Sequence, residues 1–192
     1  VSLLQHGVVK GANRPDDWIG SVTVQSNGVI WHAQGFTNGL QLKVAGLLQV
    51  LAGGRLDVSA QGYLGGGKPG AGGGVGGNNP GQTRGVDGLP VPGAAVASFV
   101  ASGGSYGSLG GAYAPNPLYG SATAPVYLGS GGAADRNTPN AAGGNGGGRI
   151  HVRAQSLLVD GALRANGERS SNLQTGQDRA DGGGSGGSIF VE

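Results

Sequence analysis

Gly143-Gly144-Asn145-Gly146-Gly147-Gly148-Arg149-Ile150-His151-Val152 returns as Gly182-Gly183-Gly184-Ser185-Gly186-Gly187-Ser188-Ile189-Phe190-Val191, with six of the ten aligned positions identical. Each copy is a glycine run that leads into a short polar–apolar alternation. Alternation with period two sends side chains to opposite faces and predicts a half-buried strand. The same alternation occurs in Ser21–Val24, Leu40–Val44 and Arg55–Val58. No window carries the apolar period of a helix.

A second repeat runs through these strands. Gly28-Val29-Ile30, Gly54-Arg55-Leu56 and Gly161-Ala162-Leu163 are each followed by Ala-Gln-Gly or Ala-Asn-Gly, ending at Gly35, Gly62 and Gly167. A strand–turn–strand unit cannot bury its apolar face alone, whereas stacked copies bury a column of Val, Leu and Ile. The expected fold is therefore all-β, a right-handed parallel β-helix (solenoid) over residues 1–192. One coil would hold Leu40–Val44, Leu47–Val50 and Arg55–Val58. The next would hold Ile150–Val152, Leu157–Val159 and Ala162–Ala165.

That reading leaves residues 62–148 as one long insertion between coils, with 28 of the 45 glycines. A structureless loop of that length is uncommon inside a domain. Glycine runs beside proline suit extended polyproline-II-type strands, which pack closely only without side chains. The insertion is expected either to pack in that way against the coils or to form a partly mobile flap.

Composition narrows the function classes. Hydrophobic residues make up 37% and charged residues only 11%, the reverse of a disordered chain. The net charge of +2 leaves no footprint for nucleic acid. There are no cysteines, so disulfides, thiolate metal sites and thiol nucleophiles are excluded. No apolar run approaches the ~18 residues of a membrane span. The start at Val1 and the strand-like Ile189–Glu192 predict a mature product or a piece of a longer chain or assembly.

The repeats resemble glycine-rich parallel β-helix modules of large bacterial secreted and surface proteins of the adhesin type. The matching residues are Gly53–Leu64, Gly143–Val152, Gly161–Gly167 and Gly182–Val191. The insertion is similar in texture to polyproline-type glycine-rich sandwiches of phage tail-fibre adhesins and some receptor ectodomains. The resemblance implies an extracellular or cell-surface structural protein.

Catalytic motifs are missing. Gly67-Lys68-Pro69 has the lysine of a phosphate loop but then a proline. Gly183-Gly184-Ser185-Gly186-Gly187 matches a nucleophile elbow only in letters. His6, His32 and His151 show no convergent spacing and read as strand or loop residues. Asp57 and Asp160 would align on neighbouring coils as a carboxylate pair, which a glycosidase needs. The plainer reading of both is a solvated strand or turn residue. Asp135, Asp178 and Asp181 could give a weak calcium site, although no cofactor is expected.

The candidate ligand-binding residues are aromatic. Tyr63, Tyr106, Tyr113, Tyr119 and Tyr127 all fall in or beside the insertion, and Trp31 adjoins Ile30 in a strand. Rigid aromatics can stack on sugars or anchor a protein. They can also simply fill the space that glycine leaves. The chain is thus expected to be a non-enzymatic structural or adhesion module that meets a protein or glycan surface. A carbohydrate-binding module and a β-helix polysaccharide lyase or hydrolase are the alternatives.

Overall fold

The alternating segments become strands in a computed structural model that describes residues 2–3, 18–71, 79–93, 96–97, 100–111, 116–121, 123–135, 141–171 and 181–192. In chain order the strands are β1 (Ser2–Leu3), β2 (Val22–Val24), β3 (Val29–Ile30), β4 (Leu40–Val50), β5 (Arg55–Asp57), β6 (Gln82–Arg84), β7 (Pro90–Pro92), β8 (Val96–Ala97), β9 (Val100–Ala101), β10 (Arg149–Val159), β11 (Ala162–Arg164) and β12 (Ser188–Val191). There is no helix among the described residues. None is therefore long and apolar enough to cross a membrane.

Two parallel sheets carry the apolar core. The larger has the order β1-β2-β4-β10-β12 and the smaller β11-β5-β3. Register stacks like on like. Leu40 lies beside Ile150, and Ile150 beside Ile189. Leu42, Val152 and Val191 form a second column. Val22, Leu48 and Leu157 form a third, and Val24, Val50 and Val159 a fourth. Across the sandwich, Ile30, Leu56 and Leu163 form a fifth. Between Ala154 and Ser156 of β10 the register shifts, so Ala45 and Gly46 of β4 face one residue, Gln155. Such a bulge bends the paired strands. The turn from β4 to β5 closes on a bond from Gly54 N to Leu51 O at 2.8 Å. Its Gly53 has φ +81, a region that side chains disfavour.

The expected right-handed parallel β-helix is corrected by this topology. The strands form two open sheets, and no closed solenoid is found among the described residues. The physical reason lies in the return path. After β5 the chain passes into a glycine-rich stretch that offers few side chains to build a further strand face.

Those segments form a bundle with a rule of its own. Along 129–134, successive N–H groups point at different neighbours. Gly129 and Gly132 donate to Gly147 and Gly144. Gly131 and Ala134 donate to Gln82 and Asn79. Ala133 donates to Ser102, while Ser130 donates to the hydroxyl of Ser185. Two of the three directions recur every third residue toward one neighbouring segment, which is the repeat of a polyproline II helix. Segment 143–148 behaves alike: Gly143 and Gly146 donate to Gly66 and Tyr63, while Gly144 and Gly147 donate to Gly182 and Ser185. A Cβ on Gly146 would collide with the carbonyl of Gly129, so the packing requires glycine there. The bundle also draws on residues outside 62–148, because Gly184 and Gly187 donate to Glu168 and Ala165.

Candidate functional site

The hairpin of β6 and β7 and the loops around 105–111 and 116–121 leave the bundle and meet one another. Asn116 ties them together. Its side-chain N–H groups reach Thr83 Oγ1 at 3.0 Å, Ser130 Oγ at 3.1 Å and the Ser105 carbonyl at 3.3 Å. Its Oδ1 accepts from Ser105 N at 2.8 Å. Asn116, Thr83, Ser105 and Ser130 are all buried. Buried polar groups that are fully paired fix one arrangement of the chain.

Three predicted tyrosines converge on this junction. The rings of Tyr106 and Tyr119 lie 5.1 Å apart, and those of Tyr119 and Tyr127 6.2 Å apart. The Tyr119 hydroxyl donates to the Leu128 carbonyl at 2.5 Å and lies 3.0 Å from Ser130 Oγ. Burial raises its pKa above the usual tyrosine value. The Arg84 guanidinium sits over Tyr127, 4.3 Å from the ring centre. Tyr106 lies over Gly120, where a Cβ would stand 2.6 Å from the ring. All three rings are half-buried, packed against one another, Arg84 or Gly120.

The other predicted aromatics lie elsewhere. Tyr63 is buried, and its hydroxyl donates to the Gly88 carbonyl at 3.4 Å. That corrects the expectation that it meets a ligand, since its ring fills space beneath the hairpin. Burial raises its pKa as well. Tyr113 lies outside the described residues. Trp31 is exposed, just beyond β3.

Sequence reasoning missed the side chains that the loops do present. Val86, Leu89, Leu109 and Leu118 are all strongly exposed. Val86 and Leu89 sit in the turn of the β6–β7 hairpin, whose Gly85 donates to the Leu89 carbonyl at 2.8 Å. The available signal was Gly85-Val86-Asp87-Gly88-Leu89, a turn sequence carrying apolar residues where polar ones are usual.

The carboxylate alignment also fails. Register places Arg164, not Asp160, beside Asp57. Asp57 accepts from Ser59 N at 3.1 Å and pairs with Arg55 at 3.5 Å. Asp160 is exposed in the turn after β10. Asp135 and Asp181 meet through the Asp135 N–H, which donates to Asp181 Oδ1 at 2.6 Å. Asp178 lies outside the described residues. No cluster of three metal-ligating side chains occurs among the described residues.

No family model, curated protein or solved structure matches the chain.

Proposed function

We propose that the chain is a structural and adhesion module of a larger extracellular or cell-surface protein, and that its loops make the contact. One observation supports this reading above others. Four strongly exposed apolar side chains, Val86, Leu89, Leu109 and Leu118, ride on loops locked by a buried polar junction. Exposed apolar groups held on a rigid base are suited to protein contact, because little entropy is lost when they bind. The tyrosines serve this surface from beneath. A protein surface suits these residues better than a sugar, since sugar stacking needs open aromatic faces.

The test is adhesion. Beads carrying the chain are expected to adhere to a cell or protein-coated surface. Adhesion should fall at least tenfold in a variant with Val86→Asp, Leu89→Asp, Leu109→Asp and Leu118→Asp. Undiminished adhesion in that variant overturns the assignment of the loops. Glycan-array binding lost in Tyr106→Ala or Tyr119→Ala would replace it with the carbohydrate reading. Release of reducing ends from a polysaccharide would replace it with an enzyme.

A further inference from the structure

The outer face of the smaller sheet sets an open aromatic ring in line with an anchored acid and a free guanidinium. Trp31 follows β3 and keeps its alternation: Ile30 and His32 on either side are buried, while Trp31 is 39% exposed. β3 pairs with β5 through Val29–Arg55 and Ile30–Leu56. The same offset recurs where the Gly35 N–H donates to the Gln61 carbonyl at 3.0 Å, so Trp31 falls opposite Asp57. Asp57 stands between the buried Leu56 and Val58 and therefore faces outward. Its partner in register on β11 is Arg164, which is exposed. Neighbouring strands lie about 4.8 Å apart, so this row runs roughly 10 Å from Trp31 to Arg164.

Each member of the row is in a defined state. The Asp57 carboxylate accepts from Ser59 N at 3.1 Å and meets Arg55 at 3.5 Å, so its charge is matched and its position fixed. Arg164 makes no hydrogen bond or ion pair among the described residues. Trp31 likewise has no ring or cation packed on it among the described residues, whereas Trp18 lies beneath the Arg153 guanidinium at 5.9 Å. Beyond the row, the exposed Asn166 donates through its N–H to Ser59 Oγ at 3.2 Å and leaves its own amide to solvent.

We propose that this row binds a polysaccharide that carries carboxylates, of the uronic-acid type, laid across the three strands. The apolar face of one sugar ring stacks on the Trp31 indole. The Arg164 guanidinium takes the carboxylate of a nearby ring in a two-pronged hydrogen bond, for which its planar fork is suited. Asp57 accepts from a sugar hydroxyl, and its pairing with Arg55 keeps it from repelling the polymer. Charge selects an acidic chain over a neutral one: Arg55 and Arg164 stand on this face against the single carboxylate of Asp57. The site is separate from the loop surface and does not rest on it.

Calorimetric titration of the full chain with polygalacturonate, and separately with neutral dextran, tests this. Saturable binding is expected with the first and none with the second. Trp31→Ala should weaken binding roughly tenfold, and Trp31→Tyr, which keeps a ring, should recover part of it. Arg164→Gln should weaken binding about tenfold. Lys43→Gln removes the same charge from the larger sheet and should leave binding unchanged, which separates recognition from general attraction to a polyanion. Trp31 and Arg164 are exposed, so their variants should keep the parent circular-dichroism spectrum. Val86→Ser with Leu109→Ser should bind as the parent does, since the loops take no part. No binding of polygalacturonate, equal binding of dextran, parental affinity in Trp31→Ala, or equal losses in Arg164→Gln and Lys43→Gln would each overturn the proposal.

Discussion

The backbone N–H of Arg149 donates to Nε2 of His32 at 3.1 Å, joining positions 117 apart in sequence. On the other side of the ring, Nδ1 lies 2.8 Å from the Ala33 carbonyl. A carbonyl only accepts, so Nδ1 carries the proton and Nε2 is free to receive one. The imidazole is thus held neutral, in a single tautomer, where the glycine bundle passes into β10.

Acid should undo that joint. Burial lowers the His32 pKa below its ordinary value, against a smaller opposing effect of the Ala33 carbonyl. The unfolded chain therefore takes up the proton first. The stabilisation is complete above the unfolded value near ~6.5 and declines as pH falls toward the lowered folded value. Urea melts from pH 8 to pH 5 should show this loss, and His32→Phe should flatten the profile. An equal slope in that variant would assign the effect to another group.

Glu168 should act at lower pH. Burial alone would raise its pKa, but the side-chain bond from Lys68, the Asn145 N–H and the Lys68 charge together bring it below the usual value. Its contribution is present above the unfolded carboxylate value near ~4.3 and fades as pH falls through the folded one. Glu168→Gln should reduce the pH dependence below pH 4.5, as read by intrinsic fluorescence. A Lys68→Met chain should show the same reduction.

Two glycines should respond in opposite ways to a methyl group. Gly146→Ala drives a Cβ into the carbonyl of Gly129 and should cost roughly 3 kcal/mol or more, as overpacking does where backbone cannot yield. Gly111 has open space around its Cβ direction. Gly111→Ala should be neutral or stabilise by up to about 1 kcal/mol, by restricting the unfolded chain. Equal melting temperatures for the two variants would contradict the packing described for the bundle.

Asn116→Ala should loosen the loops before the sheets. It strips partners from Ser105 N, Thr83 and Ser130, all buried, at a cost of about 2–3 kcal/mol. Hydrogen exchange should speed up in 105–111 and 116–121 and stay slow in β4 and β10. Uniform acceleration would mean that the junction is part of the global core.

The strands were legible because their code is local. Leu40–Val44 and Arg149–Val152 alternate, and alternation alone dictates which side chain faces in. The closure of the coils was not legible, because it depends on where the chain travels between Val58 and Gly148. Glycine carries no side chain to announce a direction. Its hydrogen bonds are chosen by neighbours remote in sequence, as Gly62 to Gly146 and Gly129 to Gly147 illustrate. Within the loops, clustering of Tyr106, Tyr119 and Tyr127 near one another in sequence was visible, but their orientation was not. Tyr119 spends its hydroxyl on Leu128 and Ser130, and Arg84 comes from a different hairpin to cover Tyr127. The exposed apolar residues were not legible, because Gly85-Val86-Asp87-Gly88-Leu89 marks a turn without saying which of its side chains face solvent.

The period-three bundle divides the chain into positions that can change and positions that cannot. Where the carbonyl of one segment touches the α-carbon of the next, a single residue type is admissible, so that interior is frozen. The hairpin turn at 85–89 and the loops at 107–111 and 117–120 meet no such restriction at Val86, Leu89, Leu109 and Leu118. New contact chemistry can therefore be written on the loops, residue by residue, without any change to the frame that carries them.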